Sequence, residues 1–414
     1  MNNKIKMSVA GLGARGGSLI KNVLCNRDDI EIIAVCDVYS DRVEKNIAVI
    51  KEKTGVTATG YSDYKQMFAA ARPDAVLVSA AWEYHTEIAV AALKAGVAVA
   101  MEVGGCYSEE EMWELVRAWE QTGTPFMFME NCCYDKAETL ATNMVRAGKF
   151  GEIVHCSGAY SHDLREEIAC GDKNRHYRLR NYLNRNCENY PTHELGPIAK
   201  LLEINAGNRF VSLVSVASKS AGMEQYIADN KDKYAALADK KFAQGDVVNT
   251  IITCAGGQTI LLRLDTTLPR FYERDFIVRG TKGFYSGNCN IAFIDGVDPD
   301  EFDTSKAYRE MFDSGKRYSE FLPEAWQNIT PEQMKAGHGG MDWLEFEEFF
   351  TCLKENKPMP LDVYDAASLM IVSVLSEQSI AKGGAPVAFP DFTGGKWLVR
   401  KNRDVNLIAE NKRF

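Results

Sequence analysis

Apolar and polar residues change rhythm near residue 130. Before that point, short apolar runs alternate with amphipathic stretches. Ile5–Ala10 predicts a strand, followed by a glycine-rich turn and a helix over Ser18–Cys25. Glu31–Asp37 (EIIAVCD) predicts a second strand and Tyr39–Thr54 a helix. Asp74–Ser79 (DAVLVS) is a buried strand, and His85–Ala95 a helix stopped by Gly96. Val97–Met101, Glu109–Thr122 and Pro125–Glu130 continue the series as strand, helix and strand. Such alternation builds a doubly wound parallel sheet of the α/β class. After a helix over Ala137–Ala147, apolar or alternating runs follow without regular helical spacers: Ile153–Tyr160, Phe210–Ser218, Asp246–Cys254, Thr259–Asp265 and Arg274–Gly280. They predict a mostly antiparallel open sheet with one buried face. Helices at Asp342–Lys354 and Tyr364–Lys382 complete an α+β domain. The charged stretch 221–245 is expected to be a helical surface insertion. A broad open sheet also leads us to expect a homo-oligomer, a dimer or larger.

The 414 residues suffice for two domains with sizeable cores. A formal net charge of −9 argues against nucleic acid or an anionic membrane as the main partner, because both require a basic face. No apolar run reaches membrane-spanning length. The 11 cysteines are scattered and contain no C-x-x-C, which fits neither a disulfide framework nor a zinc ribbon. Reduced, mostly buried thiols in a cytoplasmic protein are expected. The start MNNKIKMSVAGLG shows no apolar leader segment; a trimmed export signal is the alternative to a cytoplasmic location.

The glycine-rich turn reads VAGLGARGG, so Gly11, Gly13 and Gly16 form G-x-G-x-x-G between a strand and a helix. Gly11 permits the tight turn, Gly13 lets a pyrophosphate approach the backbone, and Gly16 allows close helix–strand packing. Asp37 ends the second strand 21 positions after Gly16, where a carboxylate accepts ribose hydroxyls and repels a 2′-phosphate. NAD is therefore the expected cofactor, with Arg42 the one feature pointing toward NADP. His85, in the loop AAWEYH, is placed at the ribose or nicotinamide, with a helix-start histidine as the bland alternative. Arg15 and Glu102 complete the cofactor-facing set. We read a Rossmann domain over 1–130 and an α+β substrate-binding and oligomerisation domain over 131–414.

This arrangement resembles the glucose-fructose oxidoreductase, inositol dehydrogenase and rhizopine-catabolism superfamily. Its ordinary dehydrogenases carry Glu-Lys-Pro at a strand end, the lysine being catalytic. Here the matching place reads Glu102-Val103-Gly104, and valine cannot move a proton. Four stretches, MENCCY (129–134), NYPTHELGP (189–197), GHGGMDW (337–343) and DVYDAAS with PDFTGGKW (362–368, 390–397), resemble glycoside hydrolase family 109, the NAD-dependent α-N-acetylgalactosaminidase type. The segment Arg165–Asn189 departs from the family pattern, and many relatives look exported.

The resemblance implies a small-molecule glycoside substrate and a redox-neutral route: oxidation at C3, elimination across C1–C2, water addition and re-reduction. No paired acid carboxylates are recognisable, as an ordinary glycosidase would need. The route requires at least two proton-handling groups. Tyr190 and His193 supply two within four residues, and Pro191 suits a first helical turn that would set them on one face. We assign His193 to the C3 hydroxyl proton and Tyr190 to binding or the C2 proton. Tyr160 joins them as catalytic, while Glu130, Arg178 and Tyr272 match the family's substrate pocket. His338, ahead of a helix capped by Asp342, is placed at the substrate, with the cofactor or a purely structural turn as the alternatives. No metal site is expected; His162-Asp163 lacks a second ligand pair at recognisable spacing. A sugar 3-dehydrogenase and a non-catalytic NAD-dependent sensor are the rival readings.

Overall fold

The computed structural model describes residues 4–298 and 309–405. They form two compact units. The first takes the chain through Tyr134 and then Asn328–Ala367; the second takes Asp135–Gln327 and the chain from Ser368 on. The stretch 328–367, which the sequence reading placed in the second domain, thus returns to the first.

In the first unit, six strands run β1 (Ile5–Ala10), β2 (Ile30–Cys36), β3 (Thr59–Tyr61), β4 (Ala75–Val78), β5 (Ala98–Glu102) and β6 (Phe126–Met129). Their order is β3-β2-β1-β4-β5-β6, with every neighbouring pair parallel. Helices α1 (Ala14–Asn22), α2 (Ser40–Thr54), α3 (Tyr64–Ala71), α4 (Trp82–Lys94) and α5 (Glu109–Thr122) connect them. Strands β4, β5 and β6 are buried at every position, as uninterrupted apolar runs covered on both faces should be. The strand order reverses between β1 and β4, which opens a crevice at their carboxyl ends. The first helix starts at Ala14 rather than Ser18, because the paired glycines Gly16 and Gly17 are tolerated in its opening turns. The returning segment is fastened by its own residues. Helix Met341–Glu355 buries Phe346, Phe349 and Phe350 completely, each contributing roughly 2 to 3 kcal/mol. The Phe128 N–H, on β6, donates to the Leu361 carbonyl at 2.9 Å.

The second unit holds an eight-stranded sheet of β7 (Ile153–Ser161), β8 (Phe210–Ala217), β9 (Val247–Cys254), β10 (Thr259–Asp265), β11 (Ile277–Gly280), β12 (Gly283–Ser286), β13 (Ile291–Ile294) and β14 (Val387–Ala388). The order is β13-β12-β11-β7-β10-β9-β8-β14, antiparallel except for the parallel pair β7–β10. Strand β9 shows the alternation plainly: Val248, Thr250, Ile252 and Cys254 are buried, while Asn249, Ile251 and Thr253 are exposed. Helices Thr192–Leu201 and Val372–Ala381 pack on the covered face. The insertion 221–245 is less helical than expected, with a helix at Gly222–Asp229 and a 3-10 turn at Ala235–Leu237.

Candidate functional site

The first unit gathers its chemistry at the carboxyl ends of β1, β2, β4 and β5. Gly11 has φ +97°, and a Cβ there would collide with the backbone of Ser79 and Ala80 after β4. A Cβ on Gly16 would strike the Gly11 carbonyl and sit 2.6 Å from Ser79 Oγ. Gly13 differs: the nearest protein atom to its Cβ position is Arg42 Nη1 at 3.7 Å. Packing therefore demands glycine at 11 and 16, while at 13 its lack of a side chain leaves the backbone open. Gly13 is also the N-cap of α1 and makes no side-chain cap hydrogen bond, so the first-turn N–H groups retain their capacity for an anion. Asp37, just past β2, accepts the Leu12 N–H at 2.8 Å and the Tyr39 N–H at 3.0 Å, tying the strand end to the glycine turn. Arg42 Nη1 stands 3.7 Å from this carboxylate.

His85 is buried in α4, and its Nε2 lies 2.9 Å from the Ala80 carbonyl, to which it donates. Burial pushes it down to about 4, so the ring is neutral at neutral pH. Past β5, Gly104 lies against the Trp82 indole; a Cβ would come within 2.9 Å of Trp82 Cγ. Any side chain at position 104 would therefore collide with the indole. Glu102 accepts from Arg15 Nε at 3.0 Å. Glu130, fully buried after β6, accepts the Cys132 N–H at 3.1 Å. His338 also belongs to this unit: its Nδ1 lies 3.0 and 3.1 Å from the Asp342 carboxylate oxygens and 3.3 Å from Arg15 Nη1.

The second unit assembles a cluster of aromatic and imidazole rings around the end of β7. Gly158 lets helix Thr192–Leu201 approach that strand; a Cβ would lie 2.9 Å from Glu194 Cβ and 3.0 Å from its carbonyl. This close packing brings His193 to 5.7 Å from Tyr160, measured between ring centroids. Pro191 stands at the N-cap with near-helical φ −73° and ψ −14°, and Tyr190 precedes it. The Tyr190 hydroxyl is 3.3 Å from His193 Nε2, and the Tyr160 and Tyr190 rings are 4.5 Å apart. On the other side, the Tyr160 hydroxyl is 3.3 Å from His162 Nδ1. Tyr272 is held beside them because Ser161 and Glu273 exchange backbone hydrogen bonds of 3.1 and 2.9 Å. Its ring lies 5.1 Å from that of His162. Arg178 is buried, places its guanidinium 5.0 Å from the Tyr190 ring centre and pairs with Glu167 at 2.6 Å. Burial, and then the Arg178 cation, hold His162 below the ordinary histidine range. The result is two hydroxyl–imidazole pairs, Tyr190 with His193 and Tyr160 with His162, whose rings pack together.

Residues 134–399 match the model of "Glycosyl hydrolase 109, C-terminal domain", and residues 5–129 match "Oxidoreductase family, NAD-binding Rossmann fold". The chain belongs to glycosyl hydrolase family 109. An alpha-N-acetylgalactosaminidase of Tannerella forsythia is 35% identical, with 96% of this chain and 88% of that protein covered. A "Glycosyl hydrolase family 109 protein" of Solibacter usitatus is 37% identical over 97% and 91% of the two chains. In fold, the chain is similar to myo-inositol 2-dehydrogenase of Lactobacillus plantarum, with a TM-score of 0.66, 16% identity and coverage of 94% and 100%. The chain is therefore a glycosidase with an NAD-binding domain.

The glycine turn of this family-109 chain fits NAD: its backbone is open at Gly13, α1 offers uncapped N–H groups, and the Asp37 carboxylate lies at the end of β2 against the turn. Asp37→Ala should weaken NAD binding about tenfold and narrow the gap to NADP, because Arg42 loses its carboxylate neighbour and the repulsion of a 2′-phosphate goes. Fluorescence titration with both reduced cofactors checks this; an unchanged preference contradicts it.

A second titrating group lies behind Tyr272. Arg274 Nη2 is 2.8 Å from both Asp135 Oδ2 and Glu138 Oε1, and its Nη1 is 3.4 Å from the Tyr272 hydroxyl. Burial pushes Glu138 up to about 8; Arg274 opposes the rise and Asp135 adds to it. The folded chain thus keeps a proton that the unfolded chain releases near 4.5. Its contribution to stability is full below that range and is lost as pH rises toward about 8. Glu138→Gln should flatten this slope in melting temperature between about pH 5 and pH 8. Equal slopes for variant and wild type would contradict it.

Sequence reasoning missed His162 as part of the ring cluster, although strand parity puts residues 160 and 162 on one face. It also missed the pairing of Asp342 with Arg15, 327 positions away, for which the sequence carries no local signal.

Proposed function

We propose that this glycosidase acts on N-acetylgalactosaminides or related glycosides, of either anomer, by oxidation at C3, elimination across C1–C2, water addition at C1 and re-reduction. The substrate class is supported by the names of the relatives. The route is supported by one observation above the others: Tyr190 and His193 are hydrogen-bonded, and Tyr160 and His162 extend the pair, in a chain with Val103 where ordinary dehydrogenases of the superfamily carry lysine. Bound NAD⁺ supplies a reversible hydride acceptor for C3. His193 takes the O3 proton through Nε2. Tyr190, sharing a hydrogen bond with that nitrogen, serves binding or the C2 proton. Tyr160 packs its ring on Tyr190 and shares a hydrogen bond with His162, which is held below the ordinary histidine range and can accept a proton. Arg178 is assigned to the N-acetyl or ring hydroxyl groups, Tyr272 to the sugar, and Glu130 to a sugar hydroxyl. His338, engaged with Asp342 and Arg15, is assigned the cofactor-side role among those that the sequence leaves open.

A p-nitrophenyl glycoside panel tests the reading: nitrophenol release with no net NADH is the expected result. Steady NADH growth without nitrophenol would make the protein a sugar 3-dehydrogenase, and NAD binding with neither signal would make it a sensor.

We also infer a homo-oligomer formed through the open sheet. Val216, Ile251 and Leu261 are 57%, 51% and 37% exposed on neighbouring strands of that face. A cytoplasmic location is supported by the cysteines, all 11 of which are free thiols. Among the described residues, no helix is long and apolar enough to cross a membrane.

A further inference from the structure

We propose that Asp342 is a positioning residue for NAD, acting through Arg15 rather than on the cofactor itself. The side chain of Arg15, in the first turn of α1, is engaged by two carboxylates and an imidazole. Its Nη1 donates to Asp342 Oδ2 at 2.7 Å and its Nη2 to Asp342 Oδ1 at 3.1 Å. Glu102, at the end of β5, takes Nε at 3.0 Å and pairs with Nη2 at 2.8 Å. The planar fork is thereby committed to two carboxylates in fixed geometry. Asp342 is held in turn by Asn131 Nδ2 at 2.8 Å and by His338. It stands in the first turn of helix Met341–Glu355, where a carboxylate is favoured by the helix dipole. A Cβ on Gly337 would overlap the Asp342 carboxylate, so the H-G-G-M-D stretch and the glycine before it shape this contact. Glu345, one turn further, is fully buried. Burial, and then the Glu102 and Asp342 carboxylates, raise it well above the usual carboxylate range.

The clamp anchors the first turn of α1 to β5 and to helix Met341–Glu355, all within one unit. It presets the aim of the turn's N–H groups before the pyrophosphate arrives, which lowers the ordering cost of binding. The inference rests on NAD binding and not on the glycosidase route.

The test is a double-mutant cycle read as NAD dissociation constants by fluorescence titration, with melting temperature of the cofactor-free protein as a second readout. Asp342→Asn and Arg15→Ala should each weaken NAD about tenfold or more. In the Arg15→Ala background, Asp342→Asn should change the constant by less than about twofold. Arg15→Lys keeps the charge but loses the fork and should also weaken NAD about tenfold, which serves where Asp342→Asn does not fold. An unchanged constant in folded Asp342→Asn, the full factor repeated on top of Arg15→Ala, or wild-type affinity in Arg15→Lys would each overturn the proposal. Failure of the glycosidase reading would show in turnover and leave these constants untouched.

Discussion

His193→Ala should lower kcat by about 10²- to 10⁴-fold, the range that a positioned general acid or base supplies. NAD affinity should stay within about twofold of wild type, because the assigned role of the imidazole is the sugar's O3 proton, whereas the glycine turn is what holds the pyrophosphate. The physical reason for a large loss is geometric. Tyr190 keeps its phenol, but its partner nitrogen at 3.3 Å is gone, and a phenol alone is a poor base near neutral pH. Tyr190→Phe should cost less, since it removes one hydroxyl and leaves the imidazole. Stopped-flow turnover and cofactor titration on the same preparation check both statements. A His193→Ala enzyme with an unaffected rate would remove His193 from the assigned role.

The second large effect separates two glycines of one motif. Gly11→Ala should destabilise the fold by roughly 3 kcal/mol or more, since it combines a positive-φ position with a collision against backbone that cannot step aside. Gly13→Ala should leave stability within about 0.5 kcal/mol, because its φ of −66° suits alanine and the nearest protein atom is 3.7 Å from the new carbon. NAD binding should nevertheless fall by about tenfold or more in Gly13→Ala, as the added carbon occupies the open backbone face. Urea unfolding of the cofactor-free proteins, paired with titration, distinguishes the two. Equal destabilisation by both substitutions, or full NAD affinity in Gly13→Ala, would contradict the division of roles.

Legibility in the sequence followed the range of the interactions. Strands β1 and β10 were readable to the residue, as was helix α5, because local apolar periodicity and caps mark them: Ser108 accepts the Glu111 N–H at 3.2 Å, and Gly123 closes the helix at φ +62°. Strand β3 was not readable. It is three residues long, contains Gly60 and lies exposed or half-exposed at the sheet edge, so tertiary pairing with β2 decides it. The return of 328–367 to the first unit was equally hidden, since it depends on buried phenylalanines and an arginine–carboxylate pair distant in sequence. Within the second unit, Tyr190 and His193 were legible because they are three residues apart. His162 carried the same kind of local signal, strand parity with Tyr160, whereas the place of Tyr272 depends on the Ser161–Glu273 bridge, which no local pattern marks.

Cleavage of the glycosidic bond by proton removal at C2 after oxidation at C3 can be read from turnover of a p-nitrophenyl N-acetylgalactosaminide in D₂O with NAD present. Nitrophenol release with deuterium at C2 of the liberated sugar and no net NADH, read by NMR and mass spectrometry, is the expected result. Sugar released with only protium at C2 would contradict it.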